Sequence, residues 1–174
     1  MEPKITTPIV KGLIISLILI VLTLAITFTN QQFNKAFQWL GYLIFFAGII
    51  LSVWQYGKQI DHQSTFGNYF AHGFKVGAVV TCIMVVFIIL FIFLFPEFKE
   101  KALEEMKRGM QNKSLSEEQA DKYMEGMRKY FMVISTGGTL LVYMLFSAIA
   151  ALIGAAITKK NPNTFQQDIN QIGG

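Results

Sequence analysis

Long apolar runs alternate with short polar links along this chain. Lys11 to Lys35 encloses 23 uncharged residues, Lys35 to Lys58 encloses 22, Lys75 to Glu97 encloses 21 and Lys129 to Lys159 encloses 29. About 20 helical residues, rising about 1.5 Å each, cross a hydrocarbon core about 30 Å thick. The pattern therefore predicts four transmembrane helices, at about 9–28, 37–56, 76–95 and 132–157. Burying four such helices inside a soluble protein would take more surrounding chain than 174 residues supply. The expected fold is all-α: one polytopic membrane domain over 1–174, with a charged helical hairpin at 97–129 outside the membrane.

The details of each run refine this outline. The first is read as a span rather than a cleaved leader, because it is too long for a signal h-region and no A-x-A site closes it. Its Ser16, Thr23 and Thr27 can each bond back to their own helix. The tight link 30–35 makes the first two spans antiparallel neighbours. Trp39 and Tyr42 near one end of the second span, and Trp54 and Tyr56 near the other, are placed as aromatic belts at the two interfaces. Gly41 and Gly48, seven apart, would let another helix approach that span.

The stretch Phe66–Gly77 is the most patterned in the chain. Phe66, Phe70 and Phe74 recur every four residues, and Gly73 with Gly77 forms a G-x-x-x-G pair. An interfacial helix at about 66–75, running into the third span, is expected, with the pattern serving helix packing. Proline at position 96 should kink that helix or start a new one. In the fourth span Ser147, Ala151 and Ala155, with Ala150 and Gly154 beside them, make a small-residue contact face.

Between spans three and four, residues 97–129 hold 16 of the 26 charges, eight of each sign. Apolar residues still recur at helical spacing: Phe98, Ala102, Leu103, Met106 and Met110, then Ala120, Tyr123, Met124, Met127 and Phe131. Glu97–Lys101, Glu104–Arg108, Glu118–Lys122 and Glu125–Lys129 are acid-first i,i+4 pairs. Residues 109–114 break the pattern, and Ser116 with Gln119 reads as a capping box, with Leu115 and Ala120 as its staple. A helical hairpin whose two stripes pack on each other follows. The methionines would otherwise offer an adaptable docking surface.

Charge adds placement rather than chemistry. The net charge of +4 comes largely from lysines beside the apolar runs, including Lys4, Lys11, Lys58, Lys75, Lys159 and Lys160. These are expected to reach for lipid headgroups rather than nucleic acid. The same six share a side with both termini, against Lys35 and the arm's eight basic residues on the other. A bare count would put the termini outside. The arm's cations are matched by acids, however, so the termini are placed in the cytoplasm and the arm outside. The lone Cys82 excludes an intrachain disulfide.

No Asp, Glu, Arg or interior His falls within a predicted span, which lowers the case for an ion path. There is no H-E-x-x-H, P-loop or G-x-S-x-G motif. His62, His72 and Asp61 are too sparse to form a metal site. No catalytic, cofactor-binding or metal-ligating residue is assigned, and no cofactor. The Phe66–Gly77 stretch, the P-E-F turn at Pro96–Phe98 and the S-E-E-Q sequence at Ser116–Gln119 resemble one family across about Ile9–Lys160. That family is catalogued as domain of unknown function 4199. The resemblance implies a bacterial cytoplasmic (inner) membrane protein, mainly of Bacteroidetes, with no assigned activity to carry over. The expected role is a non-enzymatic scaffold or accessory subunit, partnered by the lipid bilayer and by copies of itself or another membrane protein. A small-solute channel or transporter with Tyr143 lining its path is the alternative.

Overall fold

The structure, a computed structural model, describes residues 5–111 and 117–158. It contains α1 (Pro8–Phe28), α2 (Lys35–Gln59), α3 (Phe66–Leu94), α4 (Pro96–Gln111) and α5 (Glu117–Ile157). Among the described residues there is no strand. The capping residues Leu115 and Ser116 and the tail from Lys159 onward lie outside the described residues.

Local chemistry sets the helix ends. Pro8 opens α1, where its missing N–H costs nothing, and the Thr7 hydroxyl accepts from the Val10 N–H. Asn34 Oδ1 accepts the Ala36 N–H at 3.0 Å to cap α2, and Thr65 Oγ1 accepts the Asn68 N–H at 3.3 Å ahead of α3. Both α1 and α2 end in a left-handed turn without glycine. Asn30 has φ 54°, and the Gln31 N–H donates to the Ile26 carbonyl at 2.9 Å. Asp61 and His62 have φ 50° and 59°, and the His62 N–H donates to the Gly57 carbonyl at 2.8 Å. This six-to-one closure occupies a carbonyl the helix end would otherwise leave open. At Phe95 the chain resolves the choice between kink and restart. Helix α3 stops at Leu94, and Pro96 begins α4.

Contacts sort the chain into two compact units, one of 1–81 with 143–174 and one of 82–142. In the first, Phe45, Ile49, Val53, Tyr69, Val76, Val80, Ala150 and Ala151 are fully buried. Backbone proximity makes this core. A Cβ on Gly73 would lie 2.6 Å from Val53 Cγ2 and 3.0 Å from the Ala151 Cβ, and one on Gly77 would collide with the Ser147 side chain. The glycine pair of α3 thus meets the small-residue face of α5. On α2, a Cβ on Gly48 would lie 3.0 Å from the Ile15 side chain, whereas one on Gly41 would meet nothing within 4 Å. Of the expected glycine face of α2, only the Gly48 half is used.

In the second unit, Ile92, Leu103, Met127 and Phe131 form a buried cluster, with Ile88, Ala102 and Met124 against it. The α4 and α5 stripes meet there. Met106 and Tyr123 are exposed. One expected pair is replaced, and two pairs run between the helices. Arg108 pairs with Glu105 at 2.8 Å rather than with Glu104, and Arg128 reaches Glu100 and Lys107 reaches Asp121 across the two helices, at 2.8 and 3.3 Å. These pairs are exposed, so each contributes at most about 1 kcal/mol; the apolar cluster does most of the holding.

Four helices, Pro8–Phe28, Lys35–Gln59, Phe66–Leu94 and the Gln119–Ile157 part of α5, are long and apolar enough to cross a membrane. Only 22% to 39% of their most apolar windows is buried inside the protein. Leu17, Leu43, Phe93, Val133 and Leu141 are each more than 60% exposed.

The two kinds of glycine should respond oppositely to a side chain. Gly77→Val should cost about 2 kcal/mol or more through overpacking. Gly138→Ala, which has open space around it, should gain about 0.5–1 kcal/mol from helix propensity. Thermal midpoints of the two variants in one detergent check both signs.

Candidate functional site

The face of α3 that enters the first unit is not the phenylalanine stripe. Tyr69, His72, Val76 and Val80, spaced by three and four residues, are the buried set, while Phe66 is exposed and Phe70 and Phe74 lie half-buried, stacked at 5.8 Å. Gly73 explains the choice. It must meet Val53 and Ala151, and this rotates its neighbours Tyr69 and His72 inward. The sequence therefore places a histidine and a tyrosine among apolar side chains.

Helix α1 adds a charge to the same region. Gly12 packs on Val76 and Val79, which brings the adjacent Lys11 against α2 and α3. Lys11 is only 4% exposed, and its Nζ donates to the Ser52 carbonyl at 2.9 Å. One turn further along α2, the Tyr56 ring stacks on His72, with centroids 4.0 Å apart and planes 6° apart. Tyr56 also meets Tyr69 edge-on at 6.0 Å. His72 Nε2 and the Tyr69 hydroxyl are buried and lack a hydrogen-bond partner. Buried polar atoms are paired in the great majority of cases, so these two orphans, both on residues that contact Tyr56 one α2 turn from the Lys11–Ser52 bond, depart from simple packing. At the α2 end nearby, Gln59 and Thr6 exchange two hydrogen bonds of 3.0 and 3.1 Å.

Two side chains have partners inside the protein that their place in the sequence does not suggest. Pro8 starts α1 three residues earlier, so Lys11 already belongs to the helix and its amine turns to the Ser52 carbonyl. The Tyr56 ring contacts His72 and Tyr69. Trp54 and Trp39 do face outward, and Lys58 Nζ sits 3.6 Å over the Trp54 ring. The buried His72 was also missed as an interior group. Its signal was the spacing Tyr69–His72–Val76–Val80, which competes with the more conspicuous Phe66–Phe70–Phe74.

The other residues considered stand apart from this cluster. His62 lies in the α2–α3 turn with Asp61. Among the described residues, no three His, Cys, Asp or Glu side chains gather as a metal site would require. Cys82 is exposed. Tyr143 packs against Phe45 at 4.7 Å and Tyr42 at 6.3 Å. The hydroxyls of Ser16, Thr23, Thr27, Ser52, Thr81, Thr139, Ser147 and Thr158 each donate to the carbonyl four residues back, at 2.6 to 2.9 Å. An apolar groove of about 570 Å3 runs along α2, lined by Trp39, Leu43, Phe46, Ile50 and Phe146 among others.

Compared with known proteins, residues 11–160 match the sequence model of the family described as Protein of unknown function (DUF4199). No curated protein and no solved structure matches the chain.

Lys11→Met keeps the aliphatic stem and removes the buried charge. With no added ligand it should leave the fold intact and hold or raise the thermal midpoint, as replacing buried charges by apolar groups often does. Tyr56→Ala, which deletes a ring from the stack, should lower stability by about 3 kcal/mol. Unfolding of both in the same detergent tests the contrast.

Proposed function

The chain belongs to the DUF4199 family of proteins of unknown function, and from that premise we propose that it is a multi-pass protein of the bacterial inner membrane acting as a non-enzymatic scaffold or accessory subunit. The observation that carries this reading is how little of the four apolar helices is buried within the protein, 39% at most. Exposed side chains such as Leu17, Leu43 and Leu141 need hydrocarbon or another apolar protein around them. In the proposed arrangement the helices cross the bilayer, both termini lie in the cytoplasm, and the charged α4 with the start of α5 stands outside. A partner or second copy then docks on the faces the protein leaves uncovered.

A solute channel is less well supported. Its lining would have to come from hydroxyls and Tyr143, yet the eight hydroxyls named above are engaged by their own helices. Tyr143 is set among aromatic rings.

Purification in mild detergent should recover the protein as a defined oligomer or with a stoichiometric membrane partner; a strictly monomeric species without a partner would contradict the scaffold role. Reconstituted liposomes should show no solute flux above empty vesicles. For topology, a cysteine introduced at Asn112 in a Cys82→Ala background should react with an impermeant maleimide on intact cells. Protection there would invert the orientation.

A further inference from the structure

We propose that the cluster of Lys11, Tyr69 and His72 is an anion site that takes a phosphate group. Three observations meet there. The Lys11 ammonium is buried and spends one of its three N–H donors on the Ser52 carbonyl. Among the described residues no carboxylate pairs with it, and the described part of that unit holds Lys11, Lys35, Lys58 and Lys75 against a single acid, the exposed Asp61. Tyr69 and His72 are 0% and 6% exposed, and each has a polar atom with no partner.

The three groups come from two helices, α1 and α3, and gather around one turn of α2. Lys11 holds that turn at Ser52, and the Tyr56 ring one turn on contacts both His72 and Tyr69. The two deficits differ in kind. The amine lacks a counter-charge, while the hydroxyl and imidazole lack hydrogen-bond partners. Water would meet only the second, and an apolar ligand would meet neither. A phosphate group supplies negative charge and several acceptor oxygens, so it answers the two remaining Lys11 donors, the Tyr69 O–H and a protonated Nε2 of His72 together. Charge-assisted bonds of this type are the strong ones. Lys11 lies about one turn into α1, at a depth where a spanning helix meets headgroups. The phosphate can therefore come from an anionic lipid or from free inorganic phosphate.

The test uses the full-length protein in an uncharged detergent, read by its thermal midpoint at constant ionic strength. One arm adds inorganic phosphate against chloride. The other adds phosphatidylglycerol against an uncharged diacylglycerol. A saturable rise in the phosphate arm identifies the free ion, and a rise confined to the lipid arm identifies the headgroup. In either case Lys11→Met should abolish the rise, and Tyr69→Phe should weaken apparent affinity about tenfold, as expected for one lost hydrogen bond to a charged group. No saturable rise in either arm overturns the proposal. So does wild-type affinity in Lys11→Met or, if that variant does not fold, in Tyr69→Phe.

Discussion

The first unit depends on how closely α3 and α5 can approach. In the proposed bilayer setting two apolar helices gain little by leaving lipid for each other, because lipid tails are as apolar as leucine. Association must then come from many short van der Waals contacts, which need backbones close together. Gly73 and Gly77 remove the side chains that would hold α3 off, and Ser147 and Ala151 do the same on α5. Val53 fills the space beside Gly73 and would also lie 3.0 Å from a Cβ on Gly154, so α2 is drawn into the same contact. The second unit follows a different logic. There a small apolar cluster, Leu103 with Met127 and Phe131, is accompanied by exposed ion pairs between the helices.

The same close approach creates a polar irregularity. Turning Gly73 toward Val53 and Ala151 also carries Tyr69 and His72 inward. Packing α1 through Gly12 brings Lys11 with it. A buried charge is costly and is retained where it serves a ligand or a partner. Here it sits next to the tightest helix contacts, where supporting side chains have the least freedom to move. A group held this firmly can present donors in fixed positions without reorganising at each binding event.

Much of the architecture was legible because long apolar runs and glycine spacing are one-dimensional signals. The G-x-x-x-G pair at Gly73 and Gly77 and the small face at Ser147 and Ala151 read directly from residue type and interval, whereas Pro96 left kink and restart open. What did not read was rotation. Two stripes compete on α3, and only the contact with Val53 and Ala151 selects Tyr69–His72 over the phenylalanines. The same holds for Tyr56, whose position near a span end suits an interface belt but whose ring is taken up by His72. The partner of Lys11 was not legible because a lysine near a helix end can extend either way, and its direction depends on an acceptor 41 residues along the chain. Gly41 shows the opposite error, a permissive residue with no neighbour to use it.

The hydroxyls that bond back along their own helices bear on how freely this sequence can drift. Each such side chain borrows a carbonyl that already carries a main-chain bond, so replacing it by alanine strands no donor and no acceptor. At Thr23, Thr27 and Thr139 the polar character of the residue is therefore dispensable, and substitution there should be close to silent over evolutionary time. Ser147 is constrained for a steric reason instead. Its side chain fills the room left by Gly77, so alanine or serine can stand there while threonine, with one more methyl group, would pry the two backbones apart.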